Sequence, residues 1–408
     1  MPDALAAVLA RSRAGEAAAI PSVCSAHPEV IAASLALARD LGLPLCLEAT
    51  SNQVNQDGGY TGQRPADFAR EARRAAQAEG LDPALLVLGG DHLGPQAWRG
   101  LPPEEALPKA HALVRAYAEA GLTKIHLDCA EGCAGEPPHL PDDRAAPRAA
   151  DLARTAAEAA SGGEALTFVV GTEVPPPGGA RAGEGAPVPT SPAAARATLD
   201  AHRAAFGDLA PRIGALVVQP GVEFGALALH HLPDADPGLR AVGLPLEAHS
   251  TDYQRPQAFP RLAALGFAVL KVGPALTFAW REALYALDSL ARVAGWGEGR
   301  LADAMDDLMV ADPSWWRAHL DPASDLRVQR VASYADRIRY YWPRTEARAA
   351  VSATLAALDG RPLPDPLLRG FFREPMLARA EALPGPRPQA LLRAAVQDAL
   401  RPYFTDAP

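Results

Sequence analysis

Short apolar runs alternate with longer amphipathic segments along the first three-quarters of the chain. Eight runs have the near-continuous hydrophobicity of parallel strands that are covered on both faces. In order they are SVCSAH (from Ser22), PLCLEAT (Pro44), LLVLGGDH (Leu85), KIHLDCA (Lys124), LTFVVGTEV (Leu166), GALVVQPG (Gly214), LPLEAHST (Leu244) and FAVLKVGPA (Phe267). The segments between them, such as PADFAREARRAAQAEG, have helical periodicity, and several end in glycine, a common helix stop. The repeated pattern predicts a (β/α)8 TIM barrel.

The eighth run is followed by TFAWREALYALDSLARVAG, which predicts the last barrel helix. The alternative fold, an open doubly wound sheet, is disfavoured because no G-x-G-x-x-G follows the first strand. The rest of the chain reads as helical, for example in DLRVQRVASYADRIRYYWP. We therefore expect a barrel over residues 1–295 and a C-terminal helical extension over 296–408 that caps it. We interpret the aromatic residues of this extension as packing or subunit contacts, namely Trp315, Trp316, Tyr340, Tyr341 and Trp342.

Charge and composition exclude several classes of function. The chain has 39 basic and 48 acidic residues and a formal net charge of −9, which argues against non-specific binding to nucleic acid or membrane surfaces. No apolar run approaches the ~20 residues of a membrane span, and the first segment reads as an amphipathic helix with acids rather than a signal peptide. The chain has only four cysteines, too few to form a disulfide framework in a protein of this length. We therefore expect reduced thiols and a cytoplasmic protein.

Polar residues gather at one end of the predicted barrel. The active sites of such barrels lie at the C-terminal ends of the strands. Seven of the predicted strands, the second to the eighth, carry ionisable or amide side chains there. In strand order these are Glu48; Asp91 and His92; His126, Asp128 and Glu131; Glu173; Gln219; Glu247 and His249; and Lys271. Because residues two apart in a strand point to the same side, such pairs can share the lumen. This concentration predicts a catalytic barrel.

Imidazole and carboxylate groups from different strands suit a divalent ion such as Zn²⁺, Mn²⁺, Co²⁺ or Ni²⁺. The best predicted ligand set is His92, His249 and one carboxylate, with Glu173 ahead of Glu131 and Glu247. Each histidine alone is equally well explained as a hydrogen-bonded structural residue, but both at matching strand ends favour the metal. Asp91 is the candidate proton-transfer group, or alternatively an acceptor that orients a histidine.

Other polar positions are candidates for catalysis or for substrate contact. The segment TSNQVNQDGGYTGQRP offers Asn52 and Gln53 to sugar hydroxyls and reads as a covering loop with Tyr60, or as an ordinary polar turn. Lys271 has three interpretations: it binds a phosphate or substrate oxygen, forms an ion pair, or forms a Schiff base. The remaining candidates are Asp128 and Glu131 as catalytic carboxylates, and Glu48, His126, Gln219, Ser250 and Asp252 as substrate contacts. His126 is also explained as a satisfied polar core residue.

Long motifs of this chain resemble a known family. The motifs EATSNQVNQDGGYTG, GGDHLGP, KIHLDCAEGCAGEP, VVGTEVPPPGG, VVQPGVEF, EAHSTDYQ and LKVGPALTFAWREAL are similar to those of the Z-type, so-called non-catalytic, subunits of class II D-tagatose-1,6-bisphosphate aldolases. The resemblance runs from about Pro21 to Leu287. Members of that family are described as accessory subunits, as tagatose-6-phosphate kinases and as metal-dependent ketose 4-epimerases. The kinase description has no support here, because the chain lacks G-x-x-x-x-G-K-[ST].

A more distant resemblance to catalytic class II aldolases implies roles for single residues. It implies that Asp91 transfers protons and that His92 and His249 bind the metal. The third histidine of those aldolases has no equivalent in VVQPG, so Glu173 or Glu131 must replace it, and HSTDYQ stands in place of their phosphate loop. The resemblance therefore implies a divalent-metal 4-epimerase acting on a free or singly phosphorylated fructose-type or tagatose-type ketose, by a retro-aldol and aldol route or by proton transfer at carbon. Release of the two retro-aldol fragments would instead make it an aldolase.

An accessory role beside a class II aldolase catalytic subunit is the alternative. It predicts eroded catalytic positions, whereas the polar residues at these strand ends are of chemically competent type. Buried charges cost several kcal/mol unless they are paired or metal-bound, which favours an enzyme. We also expect a homo-oligomer, and no nucleic-acid or membrane partner.

Overall fold

Eight parallel strands close into a barrel. The computed structural model describes residues 4–160, 166–171 and 185–406. The barrel strands are β1 (Ile20–Cys24), β2 (Leu45–Thr50), β3 (Leu86–Leu93), β4 (Lys124–Leu127), β5 (Thr167–Val170), β6 (Ile213–Val217), β9 (Leu246–Ala248) and β10 (Phe267–Val272). Their order around the barrel is β1-β10-β9-β6-β5-β4-β3-β2. A short antiparallel pair, β7 (Glu223–Phe224) and β8 (Leu229–His230), lies between β6 and β9. Each predicted apolar run overlaps a barrel strand, so the predicted TIM barrel is confirmed.

Helices surround the barrel and continue beyond it. They are α1 (Ala4–Arg13), α2 (Pro28–Leu41), α3 (Pro65–Glu79), α4 (Pro103–Glu119), α5 (Asp142–Ala159), α6 (Pro192–Phe206), α7 (Ala258–Ala264), α8 (Pro274–Val293), α9 (Leu301–Ala311), α10 (Leu326–Ala332), α11 (Thr345–Leu358), α12 (Asp365–Arg369), α13 (Glu374–Ala382) and α14 (Arg387–Leu400). The glycine stops behave as expected, since α3 ends at Gly80 with a φ of 73°. Among the described residues, no helix has both the length and the apolar character that a membrane crossing requires.

The end of the lumen where the strands begin is filled with apolar side chains. Helix α1 closes this end through Leu5, Val8 and Leu9, all of them buried. They pack with apolar side chains from the strands: Ile20, Cys46, Val87, Val169, Ala215, Val217, Ala268 and Val269. Because strand side chains alternate, this cluster is separate from the larger core between the strands and the outer helices.

The C-terminal segment packs on the barrel rather than standing apart from it. Helix α14 lies against α2 and α8, and its apolar side chains join the outer core. A buried ion pair also links the two parts, because Arg281 on α8 donates to Asp336 over 2.8 Å. Thr277 donates to the second oxygen of the same carboxylate over 2.6 Å. The division of the chain at residues 295 and 296 stays a prediction.

The segment DLRVQRVASYADRIRYYWP departs from the predicted helix. Helix α10 covers only Leu326–Ala332, and a short 3-10 turn follows at Arg337–Tyr340. Between them Asp336 has a φ of 43°, in the left-handed region that interrupts an α-helix. The ion pair with Arg281 holds the Asp336 side chain, so a tertiary contact overrides the local helical pattern.

Candidate active site

A layer of buried ion pairs crosses the lumen above the apolar end. Glu48 of β2 contacts both Lys124 of β4 and Lys271 of β10, and Lys124 Nζ lies 2.8 Å from Glu247 Oε2. Burial disfavours the Lys124 ammonium, but Glu247 and Glu48 outweigh it and raise the pKa of this lysine. Gly89 makes room for the layer, because a Cβ there would lie 2.7 Å from Glu48 Oε1. The layer forms a rigid charged floor beneath the mouth of the barrel.

A local irregularity brings two consecutive residues, Asp91 and His92, into the lumen. Neighbours in a regular strand point to opposite faces. The register between β3 and β4 shifts between Gly90 and Leu93, and His92 has a φ of 48°. Such irregularities redirect side chains and are common beside active sites. Asp91 Oδ1 lies 2.8 Å from His126 Nδ1, and His92 Nδ1 lies 2.8 Å from Asp128 Oδ2.

Three imidazole rings form a nearly equilateral group at the mouth. The ring centroids of His92 and His126 are 5.1 Å apart, those of His92 and His249 are 5.1 Å apart, and those of His126 and His249 are 5.0 Å apart. His249 Nε2 also lies 2.9 Å from Glu247 Oε1. Ser250, the next residue, has a φ of 53°, so the β9 end is as irregular as the β3 end. All three rings are buried.

The charges of the mouth are strongly coupled. Burial disfavours the Asp91 carboxylate, but His92 and Lys271 outweigh it and hold the pKa of Asp91 well below its ordinary value. Burial likewise opposes the charged form of His92, and Asp91 and Asp128 overcome it and raise the pKa of this histidine. Burial dominates at His249 and lowers its pKa to about 4. His249 is therefore neutral near pH 7, the form in which imidazole binds a metal.

These residues fit a divalent ion. Possible ligand atoms of Asp91, His126, Glu247 and His249 all lie within 4.8 Å of one another. His126 Nε2 is buried and has no hydrogen-bond partner within the described chain. His92 is outside that group of four, yet three imidazoles on one tetrahedral ion have centroids ~5 Å apart, which matches the observed triangle. The Asp128–His92 contact is the kind that orients a metal-binding histidine.

A small pocket opens directly above the histidines. Its volume is about 70 Å³. Besides Asp91, His92, His249 and Lys271, its walls include Cys24, Thr50, Gln53, Phe224, Ser250, Asp252, Arg339 and Tyr340. Asp252 accepts hydrogen bonds from the backbone N–H groups of Gly273 (3.0 Å) and Ala275 (2.8 Å), at the start of α8. Burial raises the pKa of Asp252 to about 6.

Most of the residues predicted from sequence meet at this pocket. Asp91, His92, Gln53, His249, Ser250, Asp252 and Lys271 line it, and His126 and Asp128 hold Asp91 and His92 from below. Glu48 lies in the charged floor and not on the pocket wall. Both Asp128 oxygens are engaged, one by His92 and one by the backbone N–H of Ala130 at 3.1 Å. This favours an orienting role for Asp128 over the predicted catalytic one.

Four predicted residues lie elsewhere, and a fifth is outside the described residues. Glu131 is partly exposed and its carboxylate pairs with Arg99 over 2.7 Å. Gln219 Oε1 accepts two hydrogen bonds from its own loop, and neither Gln219 nor Asn52 lines the pocket. Tyr60 lines a neighbouring cavity, where its ring centroid is 4.7 Å from that of Tyr340. Glu173, the preferred metal carboxylate, lies outside the described residues.

The C-terminal segment contributes two wall residues that the sequence did not reveal. Tyr340 had only a packing interpretation, and it does stack on Trp315 with centroids 4.7 Å apart and ring planes at 4°. It also lines the pocket, and Arg339 Nη2 donates to its hydroxyl over 3.0 Å. The dense run of arginine and tyrosine in RIRYY was the available signal. Lys124 was also missed as the second cation of the charged floor.

Comparison with known proteins places the site in a family context. The family model described as D-tagatose-1,6-bisphosphate aldolase subunit GatZ/KbaZ-like matches residues 5–407. A protein of Agrobacterium fabrum (strain C58) named D-tagatose 6-phosphate 4-epimerase is 48% identical over 410 residues, which cover 97% of this chain and 96% of that protein. The crystal structure of a probable tagatose 6 phosphate kinase from Sinorhizobium meliloti 1021 is 44% identical, with a TM-score of 0.83 over 95% of this chain and 99% of the other.

Proposed function

The chain belongs to the D-tagatose-1,6-bisphosphate aldolase subunit GatZ/KbaZ-like family, and from its site we propose that it is a metal-dependent ketose 4-epimerase. The substrate class is a ketose or ketose phosphate of the fructose and tagatose type, as the name of the Agrobacterium relative suggests. The observation that carries the proposal is the buried group of three imidazoles and two carboxylates at the mouth of the barrel. An accessory subunit has no need to retain so many buried ionisable groups.

The metal donors are drawn from this group. We assign His92, His126 and His249 as the metal donors, which leaves Asp91 as a base. A divalent ion bound there would act as a Lewis acid on the ketose carbonyl. Asp128 fixes the ring of His92 through Nδ1, and Glu247 holds that of His249. These contacts keep the donors in place before the substrate arrives.

Asp91 is the proposed base for a retro-aldol route. It takes the proton from the C4 hydroxyl, the C3–C4 bond breaks, and the electron pair of that bond passes to the C2 carbonyl. The products are an enediolate and an aldehyde, which stay in the pocket. The aldehyde rotates, C3 attacks its opposite face, and Asp91 returns the proton to the new C4 oxygen. Lys271 Nζ, 2.9 Å from Asp91 Oδ2, keeps the base ionised and stabilises negative charge beside it.

One experiment tests both metal and activity. The chain is purified alone, its metal content is measured, and it is incubated with Mn²⁺, Ni²⁺, Co²⁺ or Zn²⁺ and D-tagatose 6-phosphate, D-fructose 6-phosphate or D-fructose. We expect interconversion at C4, loss of activity on chelation, and recovery on adding the metal back. Triose products would instead indicate an aldolase. No turnover alone, but restored aldolase activity on adding a class II aldolase subunit, would establish the accessory role and overturn the proposal.

A further inference from the structure

The active-site pocket leaves little enclosed space directly above the histidines. Its volume of about 70 Å³ is space for roughly five water molecules. A second cavity of about 450 Å³ lies beside it, between the barrel mouth and the C-terminal segment. The two share four wall residues, namely Cys24, Gln53, Gly273 and Arg339. A substrate bound at the histidines can therefore extend into this side cavity.

The side cavity has largely apolar walls, and its charged side chains carry a net positive charge. Arg339 stands where it joins the pocket, and Arg348 of α11 lies on its outer wall. Glu29 is the one acidic residue among the described residues that line it. The other polar wall groups are neutral hydroxyl, amide and imidazole side chains, such as Ser25, Gln63 and His27. Two guanidinium groups with neutral hydrogen-bonding neighbours are typical of a site for a phosphate.

Neither Arg339 nor its neighbour Arg337 has a carboxylate within ion-pair distance in the part of the chain that the structure covers. Arg339 donates to the carbonyl oxygens of Ala335 (2.6 Å) and Asp336 (3.0 Å) and to the Tyr340 hydroxyl. Arg337 donates to the Trp315 carbonyl oxygen over 2.6 Å, and its Nη1 is buried without a partner. Burial lowers the pKa of Arg337 to about 10. Arg337 does not line the side cavity, but neither its charge nor that of Arg339 has a carboxylate partner in the described chain, so both would favour a nearby anion.

Helix α2 adds a weaker contribution at the same wall. The helix begins at Pro28, and its N-cap residue, His27, makes no side-chain hydrogen bond to the helix backbone. His27 Nδ1 is buried without a partner within the described chain, and the ring lies 4.4 Å from that of Trp280. The first N–H groups of a helix favour negative charge nearby. The wall thus offers His27 Nδ1 as a further polar contact in addition to the two arginines.

We propose that the side cavity holds the phosphate group of a ketose 6-phosphate, with Arg339 and Arg348 as its cationic contacts. The inference rests on the proposed function, which places the reacting carbons at the histidines. It assigns recognition of the phosphate to the C-terminal segment, since both arginines come from that segment and neither from a barrel strand. A free ketose would leave this cavity to water and would bind more weakly.

The test compares phosphorylated and free substrates in variants of the cavity. Arg348→Ala changes an exposed residue and should not affect folding, while Arg339→Gln removes the charge at the junction. The matched control is Arg344→Ala, four residues before Arg348, because Arg344 pairs with Asp312 and does not line the cavity. The readout is the ratio of kcat/KM for D-tagatose 6-phosphate to kcat/KM for D-tagatose, with the metal-loaded full-length protein.

We expect this ratio to fall roughly tenfold in Arg339→Gln and severalfold in Arg348→Ala, and to stay unchanged in Arg344→Ala. Inorganic phosphate, titrated by calorimetry, should bind the wild type and lose affinity in the same two variants. An unchanged ratio and unchanged phosphate affinity in both variants would overturn the inference. The two proposals can also fail separately. If the wild type lacks epimerase activity but binds phosphate, and the two variants lose that binding, the proposed function is refuted and the anion site is retained.

Discussion

The two ends of the barrel lumen are built from opposite kinds of side chain. At the end where the strands begin, Leu5, Val8 and Leu9 of α1 fill the lumen with apolar groups. At the other end the same strands carry buried carboxylates, lysines and histidines. Both ends are equally hidden from solvent, so burial alone does not mark function. What distinguishes the mouth is that its polar groups exceed what mutual pairing satisfies, as the free His126 Nε2 shows.

The strongest test of this contrast removes imidazoles from the mouth. We expect His92→Ala and His249→Ala each to lose bound metal and to reduce kcat/KM by more than roughly 100-fold. This is a larger loss than the roughly 10- to 100-fold that is typical when a residue that only hydrogen-bonds a metal ligand is removed. His111→Ala is the matched control, since His111 on α4 pairs with Asp151 outside the lumen. Metal analysis and circular dichroism accompany the kinetics. Full activity in either lumen variant would refute the site assignment.

Substitutions in the charged floor should reduce the free energy of unfolding more than substitutions elsewhere in the lumen. Lys124→Met leaves Glu247 and Glu48 with one cation fewer in a fully buried layer. We expect the free energy of unfolding to fall by about 3–5 kcal/mol, the usual cost of breaking a buried ion pair from one side. Urea denaturation measures it. Lys109→Met, which breaks an exposed pair with Asp57, should change the same quantity by less than about 1 kcal/mol.

The apolar end should affect stability without affecting catalysis. Leu9→Ala removes a buried side chain from the α1 cluster, and we expect a loss of about 2–5 kcal/mol in the free energy of unfolding. The kcat/KM per folded molecule should not change, because the cluster lies at the opposite end of the lumen from the pocket. Leu227→Ala is the control, since Leu227 is 55% exposed. A drop in kcat/KM in folded Leu9→Ala would show that the two ends are coupled.

The smallest effect concerns an ordinary charge cluster outside the lumen. Arg148 donates to both oxygens of Glu136 at 2.9 and 2.6 Å and holds the pKa of Glu136 at about 2. Because the folded pKa is lower than the ordinary value of 4.5, this stabilisation is present above pH 4.5 and is lost as the pH falls toward 2.

Glu136→Gln should therefore lower the free energy of unfolding by less than about 1 kcal/mol at pH 7, with the gap closing at acid pH. Glu158→Gln, at an exposed position of α5, is the control. Urea denaturation at pH 7 and pH 3 measures both variants. A gap that widens toward pH 3 would contradict the expected sign.

The barrel was predictable because each strand is a near-continuous apolar run and the intervening helices repeat their apolar positions with helical periodicity. The polar ends of those runs also located the mouth, since the TIM barrel architecture brings all strand ends together. The pairing inside the mouth was harder to foresee. Asp91 and His92 are consecutive, and regular alternation would have sent one of them outward, so their joint entry depends on the irregularity between β3 and β4.

The residues that the C-terminal segment contributes to the pocket could not be predicted from the local sequence pattern. Arg339 and Tyr340 enter the pocket because Asp336 breaks the helix to reach Arg281, a residue 55 positions earlier. Glu131 shows the opposite failure. It follows a strand end and has the right chemistry, yet Arg99, from the loop after β3, holds its carboxylate at a partly exposed position. Sequence pattern identifies which groups reach an end of the barrel, and tertiary partners decide which of them face the substrate.

The closure of the barrel sets an order of events during synthesis. Strand β1 pairs with β2 on one side and with β10 on the other, and α1 also packs against β10. Roughly 250 residues separate β1 from β10, so at ~5–20 residues per second the ribosome needs roughly 12–50 seconds to deliver the missing neighbour. During that interval one edge of β1 has no native partner, and α1 lacks its contacts with β10. Closure of the barrel therefore has to wait until its last strand has been synthesised.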